Sequence, residues 1–340
     1  MATFAAPLSR DGPGLLLRDI VSGQDPSIAA IARVIASVDP DILLLTDFDH
    51  DAGLAALGAF ADLLAELGRI YPVRFALPTN AGLPTGLDMD GNGKLGEARD
   101  AMGYGLFRGN GGMALLSKVP IDEAKVQDFN ALLWRDLPGA RMPLKDGQPF
   151  PSAEAQAAQR LASAGFWIVP FLPEGAPPFS LLASAATTPA FDGPEDRNGL
   201  RNRDEIRFWS LYLDGAFGPA PERFIIAAKL NADPEDGDSD HAAIRALLED
   251  PRLQDPLPTS EGGMLSADPS HHGDPSLDTA AWPESPQGNL RVSYVLPSTD
   301  WDVTGAGVYW PSDNALGPDV QAAGPHRLVW VDLIDAAKRP

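Results

Sequence analysis

Apolar and polar positions along the chain predict alternating helices and buried strands. Asp25-Pro26 is a favoured helix start, and the three isoleucines of residues 26–38 fall on one helical face. An Asp-Pro pair ends that helix before the apolar run 42–45, which has the length and composition of a buried strand. Further buried strands are predicted at 112–117, 180–184, 224–228, 291–296 and 327–332, and further helices at 54–64, 205–213 and 242–248. This interleaving predicts an α/β fold in one domain spanning residues 1–340.

Composition excludes several classes of function. The 340 residues include no Cys, which excludes a catalytic thiol, an iron-sulfur cluster and a Cys-ligated zinc. Asp and Glu number 47 against 26 Lys and Arg, and the net charge of -21 repels a polyphosphate chain, so non-specific nucleic-acid binding is not expected. No apolar run is long enough to span a membrane, and residues 1–17 lack the pattern of an export signal.

Polar residues follow several of the predicted strands, where open α/β sheets present their functional side chains. They are Asp47, Asp49, Asn231, Asp233 and His326. Read from the residues alone, this set could converge on a divalent cation, because carboxylate, amide and imidazole groups are metal ligands. The alternative is that these residues build turns and cap helices, which Asp and Asn do frequently after strands. The pattern leaves both interpretations open.

At these positions the chain resembles the endonuclease/exonuclease/phosphatase superfamily, specifically a bacterial branch of it. The resemblance covers nearly the whole sequence and is carried by the order and spacing of matching segments, among them PDILLLTDFDHD at 40–51, GLDMDGNGKLGEARDAMGYG at 86–105, FDGPEDRNGLRNRDEIRFW at 191–209, LNADPEDGD at 230–238 and HRLVWVD at 326–332. It implies a four-layer α/β sandwich of two packed, mainly antiparallel or mixed sheets flanked by helices.

The resemblance also implies hydrolysis of phosphoesters with a divalent metal, commonly magnesium, but most of the expected active-site residues are substituted. In the family, an Asn on the first strand and an acid on the next hold the metal, an Asp-x-Asn motif positions water, and two His with Asp partners manage protons. This chain has other residues at five of those positions, namely Ala5, Ala185, Lys229, Ser293 and Pro325. Asp47, Asn231 and His326 are retained.

The substitutions favour a degenerate active site on a fold that acts as a binding or interaction module for a ligand or protein not named by the sequence. Lys229 reverses a charge, and its ammonium is a candidate surrogate for the metal, paired with Asp47. The alternative is that Lys229 extends into solvent.

The alternative function is an active phosphomonoesterase or phosphodiesterase that uses Mg²⁺ or Mn²⁺. It would recruit substitutes from Asp49, His50, Asp51 and Asp233. A calcium-stabilised scaffold with an empty cleft is a third interpretation.

A calcium loop is predicted within residues 86–100. Asp88, Asp90 and Asn92 alternate before Gly93, and Lys94 would add its carbonyl, as in the first half of an EF-hand loop. The twelfth position is Arg99 instead of the usual Glu, so Glu97 or Asp100 would have to complete the site. The alternative is a stack of Asx turns without an ion. Structural calcium loops are typical of extracellular modules, which favours an exported protein.

Overall fold

The strands and helices alternate along much of the chain. The structure is a computed structural model that describes residues 1–312 and 317–335. Its strands are β1 (Ala2–Phe4), β2 (Ile42–Phe48), β3 (Val73–Phe75), β4 (Gly112–Ser117), β5 (Gln127–Asp128), β6 (Leu144–Lys145), β7 (Gln148–Pro149), β8 (Gly165–Phe171), β9 (Phe179–Ala185), β10 (Phe224–Lys229), β11 (Ala280–Trp282), β12 (Gly288–Leu290), β13 (Ser293–Pro297), β14 (Trp301–Val308) and β15 (Val329–Asp335). Its α-helices are α1 (Leu15–Ser22), α2 (Pro26–Val38), α3 (Ala55–Glu66), α4 (Ala153–Ala158), α5 (Arg197–Leu213), α6 (His241–Leu248), α7 (Glu261–Leu265) and α8 (Gly317–Ala322).

Two mixed sheets form the centre of the molecule. The first sheet has the order β14-β15-β1-β2-β4-β3, with β1 and β2 parallel. The second sheet has the order β13-β10-β9-β8-β5, with β9 and β10 parallel. The remaining neighbours in both sheets pair antiparallel.

Side-chain alternation in the strands produces four layers. In β2, Leu43 and Leu45 pack in the core with helices α1 to α3, whereas Ile42 and Leu44 pack in the core between the two sheets. On the other side of the molecule, strands β8 to β10 pack on α5 and α6, where the Phe166 and Phe208 rings stack with centroids 4.2 Å apart. The predicted four-layer α/β sandwich is therefore confirmed.

The predicted boundaries hold best where the apolar pattern is strongest. The α2 cap is formed as expected, with the Asp25 carboxylate accepting hydrogen bonds from the backbone N–H groups of Ser27 and Ile28. β4 occupies the predicted residues. No pattern predicted β8, whose sequence contains Pro170, a residue type that is rare inside strands.

Two boundaries were predicted wrongly because polar groups take the place of apolar ones. α5 begins at Arg197, eight residues before the predicted start at 205, and its buried face includes Arg201 and Glu205. β13 begins at Ser293 instead of 291, because the Arg291 N–H donates to the Asp233 carboxylate instead of to a strand.

Within the described ranges, no helix combines the length and the apolar character needed to span a membrane.

Candidate active site

The cleft lies where β2 of the first sheet and β10 of the second sheet end close together. Asp47 is the extra residue of a β-bulge in β2, between Thr46 and Phe48, and has a φ of 62°. A bulge redirects a side chain out of the regular alternation of a strand. Lys229 is the last residue of β10 and pairs with Ala185 of β9 and Ser293 of β13. Three of the substituted positions thus lie side by side.

Lys229 and Asp47 form a two-oxygen ion pair across this cleft. The Lys229 Nζ lies 2.7 Å from Asp47 Oδ1 and 2.7 Å from Oδ2. The Lys229 side chain is 12% exposed and that of Asp47 is 33% exposed. The amine therefore points into the cleft and not into solvent.

Asn231 is held by backbone contacts next to this pair. Its backbone has a φ of 50°, a conformation that Asn tolerates better than most residues. Its amide Nδ2 donates to the Ala186 carbonyl over 2.8 Å. The side chain thus joins the ends of β9 and β10.

His326 is beside the ion pair but has no carboxylate to orient it. Its Nδ1 is buried and has no hydrogen-bond partner among the described residues, and the same holds for the Ser293 hydroxyl. Burial, and after it the positive charge of Lys229, lower the pKa of His326 to about 3. Its ring meets Trp282 edge to face, with centroids 5.2 Å apart. At neutral pH the imidazole is uncharged.

The three acidic residues considered as substitutes are engaged by backbone groups. Asp49 accepts from the N–H groups of Arg10 and Gly111. Asp51 accepts from the first N–H groups of α3. Asp233 accepts from three N–H groups, including that of Arg291. These are the contacts of turns and caps.

His50, the fourth candidate substitute, is also tied to the backbone of a loop. Its N–H donates to the Gly109 carbonyl. Burial lowers the pKa of its imidazole.

The divalent metal that the resemblance implies does not fit this set of side chains. Both oxygens of Asp47 already accept from an ammonium. Within residues 1–312 and 317–335, Asp47 belongs to no group of three acidic or imidazole ligands whose atoms lie within 4.8 Å of one another. Ala5 and Ala185, both buried, offer only methyl groups.

The predicted calcium loop does bring three carboxylates together. Atoms of Asp88, Asp90 and Asp100 lie within 4.8 Å of one another. Asp100 is buried, and its two oxygens accept from the backbone N–H groups of Met89 and Glu97. Of the two candidates for completing the site, the structure therefore brings Asp100 into the group.

Asn92 and Lys94 make other contacts in the same loop. The Asn92 amide nitrogen donates to Asp90 and Glu97, and its oxygen accepts from the Lys94 N–H over 2.7 Å. The Lys94 ammonium lies 3.5 Å from Glu97.

One cavity opens beside Lys229, and a second, larger cavity adjoins the first. A cavity of 270 Å³ is lined by Lys229, Asn231 and His326 together with Trp282. A larger one, of 790 Å³, is lined by residues of the predicted calcium loop and by the start of α5, and both cavities share Phe191. Residues 192–207 carry charges of both signs in the sequence, a pattern that fits a solvated loop as well as the wall of this larger cavity.

Comparisons with known proteins agree with this architecture. The model of the Endonuclease/Exonuclease/phosphatase family matches residues 21–323. Among curated proteins, none matches the chain. Similar solved structures include an endonuclease/exonuclease/phosphatase from Beutenbergia cavernae DSM 12333, with 16% identity, 98% of this chain and 71% of that chain covered and a TM-score of 0.56.

Two further structures have the same fold. The human Nocturnin catalytic domain with bound sulfate anion is 15% identical, with 99% and 93% of the chains covered and a TM-score of 0.51. An endonuclease/exonuclease/phosphatase family protein from Bacteroides thetaiotaomicron is 12% identical, with 98% and 97% covered and a TM-score of 0.51. At such identities the likeness is one of fold. The two-sheet architecture and the family match over 21–323 together show that this chain belongs to the endonuclease/exonuclease/phosphatase family.

Proposed function

We propose that this chain is a binding protein on a phosphoesterase fold, without metal-dependent hydrolysis. The observation that carries the proposal is the position of the Lys229 Nζ, 2.7 Å from both oxygens of Asp47. The ammonium neutralises the carboxylate that would otherwise help to hold a cation. Asp47 and Lys229 stabilise each other without a dissociable ion.

Electrostatic repulsion opposes metal binding at this point. Two unit positive charges about 5 Å apart repel by roughly 3.3 kcal/mol at an effective dielectric constant near 20, and a dication doubles that value to about 6.6 kcal/mol. A Mg²⁺ or Mn²⁺ ion beside Asp47 would have to displace the amine and leave it without its partner in a largely buried position.

The proton-transfer groups are disabled as well. His326 is neutral at physiological pH, and among the described residues no carboxylate accepts a hydrogen bond from its Nδ1 to orient the ring. Removing the orienting carboxylate of a serine protease triad costs about 10⁴ in rate, which gives the scale of such a loss. Ala185 cannot donate a hydrogen bond to a developing negative charge.

The fold nevertheless keeps room for a small ligand. The 270 Å³ cavity beside Lys229 has the aromatic ring of Trp282 and the polar groups of Asn231 and His326 in its wall. Apolar walls with a few convergent polar groups are typical of ligand sites. This supports binding as the retained role of the cleft.

Turnover assays test the proposal. Aryl phosphomonoesters and phosphodiesters are incubated with the protein and Mg²⁺, Mn²⁺ or Ca²⁺, with Asp47→Ala as the matched variant. We expect no difference between the two proteins and no hydrolysis above background. Hydrolysis by the wild type that Asp47→Ala abolishes would establish the active-enzyme alternative.

For the acidic loop we propose bound Ca²⁺ in a structural role. The support is the convergence of Asp88, Asp90 and Asp100, since Ca²⁺ prefers carboxylate oxygens. Ca²⁺ should raise the melting temperature of the wild type, because a ligand that binds only the folded state stabilises it. The increase should disappear in Asp88→Asn but persist in Asp62→Asn, a control at an exposed carboxylate outside the loop. An equal increase in all three proteins would contradict loop binding.

A further inference from the structure

The 790 Å³ cavity contains an unusual set of arginines. Arg99, Arg197 and Arg201 all line it. In the described ranges 1–312 and 317–335, no carboxylate oxygen lies within 4.0 Å of any of their guanidinium nitrogens. Carboxylates outnumber cationic side chains in this chain, 47 to 26, so arginines readily find partners elsewhere on the surface. Three unpaired arginines around one cavity require a physical explanation.

Of the two arginines that are at least partly buried, Arg197 makes fewer side-chain hydrogen bonds than Arg201. Among the described residues its guanidinium makes one side-chain hydrogen bond, from Nη2 to the amide oxygen of Gln159 over 2.6 Å. Burial lowers the pKa of its guanidinium, and the carboxylates of Asp90, Asp192 and Glu195 oppose that effect from beyond salt-bridge distance. A covered charge with a single neutral partner is costly, because a guanidinium has five N–H donors to satisfy.

Arg201 lies at the wall of the same cavity and is fixed in place. It is 4% exposed and donates to the backbone carbonyls of Arg160, Leu161 and Ala162. These contacts hold the guanidinium rigidly, and the buried Glu205 carboxylate, which lies beyond salt-bridge distance, opposes the effect of burial and of Arg197 on the pKa of Arg201. Arg99 adds a third charge from the exposed side of the cavity.

Two exposed aromatic side chains also line this cavity. Tyr104 is 69% exposed and Phe191 is 79% exposed. Phe191 has a φ of 68°, which is strained for a bulky side chain. A ring that is both strained and exposed contributes little to folding, and such residues cluster at ligand sites.

The charge balance of the wall restricts the charge of an occupant. Three arginines face three carboxylates, those of Asp90, Asp192 and Glu195. The Asp192 and Glu195 carboxylates accept hydrogen bonds from the backbone of their own loop. Asp90 also belongs to the proposed Ca²⁺ site, but the Asp192 and Glu195 carboxylates remain in the wall, and they repel a phosphate monoester, which carries about two negative charges, more strongly than a monoanion.

We propose that this cavity binds an organic monoanion consisting of a carboxylate attached to an aromatic ring. The planar carboxylate accepts two parallel hydrogen bonds from the Arg197 guanidinium, and the aromatic ring of the ligand packs on Phe191 and Tyr104. The inference deepens the proposed binding function, because it names a ligand class for the protein. It also departs from the phosphoester chemistry of the family.

Isothermal titration calorimetry with defined probes tests the proposal. The probes are phenylacetate and indole-3-acetate, the neutral phenylacetamide, and phenyl phosphate. The proteins are the full chain, Arg197→Gln, Phe191→Gly, and Arg135→Gln as a control at an exposed arginine outside the cavity. Phe191→Gly removes the ring and also relieves the positive φ, so it should melt no lower than the wild type.

We expect the carboxylates to bind the wild type and Arg135→Gln equally. Phenylacetamide should bind the wild type at least about tenfold more weakly than phenylacetate does, because it lacks the negative charge. The carboxylates should bind Arg197→Gln at least about tenfold more weakly than the wild type, because this variant lacks the positive charge. Phe191→Gly should weaken carboxylate binding as well.

Three results would overturn the proposal: no carboxylate binding by the wild type at millimolar concentration, unchanged affinity in Arg197→Gln or Phe191→Gly, or tighter binding of phenyl phosphate than of phenylacetate. If Arg197→Gln fails to fold, the affinity of Phe191→Gly for phenylacetate and the affinity of the wild type for phenylacetamide test the proposal instead. These assays detect binding at Arg197 and not turnover at Asp47, so their failure and a failure of the proposed function can be told apart.

Discussion

Lys229 determines the electrostatics of the cleft because its amine contacts Asp47 and its charge acts on His326. The amine lies 2.7 Å from each Asp47 oxygen. Lys229 lowers the pKa of His326, and Asp47 raises it, although burial has the larger effect. The three side chains therefore form one coupled group whose members can be tested separately.

The His326 pKa should change in opposite directions when the two charges are removed. Lys229→Met should raise it above the wild-type value of about 3, since a neighbouring cation no longer opposes protonation. Asp47→Asn should lower it further. NMR titration of the imidazole resonances measures both. An unchanged or lower pKa in Lys229→Met would contradict the assigned geometry.

The contact between Lys229 and Asp47 was predicted because Lys229 replaces an acidic residue of the family, and its ammonium can pair with the retained Asp47 carboxylate. The sequence did not predict which acids were unavailable. Asp49, Asp51 and Asp233 look like candidate ligands in the sequence, but their oxygens accept from backbone N–H groups of neighbouring loops. The partners of Asp51 are local and fit the cap alternative, whereas Gly111 and Arg291 reach Asp49 and Asp233 only in the folded chain, so spacing alone could not decide between ligand and cap.

Helices α2 and α5 differ in how their sequences specify them. α2 has an apolar buried face and a formed cap, and its predicted bounds hold. α5 buries Arg201, Asn202, Asp204 and Glu205. A helix with a polar buried face lacks the apolar periodicity from which helices are predicted, and this is why the predicted start was eight residues late.

The cap of α2 should make a measurable contribution to stability. Asp25→Ala should cost about 1 kcal/mol in the free energy of unfolding, because the N–H groups of Ser27 and Ile28 lose their acceptor. Asp25→Asn should recover most of that loss, since Asn caps helices nearly as well as Asp but cannot pair with Arg10. Urea unfolding measures both variants. Equal losses in the two would indicate that the Arg10 ion pair, and not the cap, is what matters.

At the scale of the whole molecule, the sandwich was predictable and the cavities were not. Long apolar strands and the order of matching segments were enough to predict the two sheets. The cavities are instead formed by loops far apart in the chain, such as those carrying Asp90 and Arg197 or Lys229 and Trp282. The excess of acidic residues in the chain also has consequences for stability, which Asp278 illustrates.

Asp278 should make stability depend on pH. It is 8% exposed, and burial together with the charges of Asp233, Asp236, Asp274 and Asp268 raises its pKa to about 7. The folded protein therefore holds this proton more tightly than the unfolded chain does, and the stability from Asp278 falls as the pH rises from about 4 to 7.

Asp278→Asn removes this penalty. Its free energy of unfolding relative to the wild type should increase from pH 4 to pH 7 and level off above pH 7. Urea unfolding of both proteins across this range measures the difference. A difference that does not vary with pH would show that Asp278 ionises normally in the folded protein.

The most direct test of the account is Mn²⁺ binding at Asp47, measured by electron paramagnetic resonance. All proteins carry Asp88→Asn, which removes a ligand of the acidic loop. With Lys229 present, we expect no bound Mn²⁺ that depends on Asp47, and Lys229→Asp should create a site that Asp47→Ala removes. If the protein with Lys229 intact binds Mn²⁺ and Asp47→Ala abolishes that binding, the ammonium does not exclude the metal and the account is wrong.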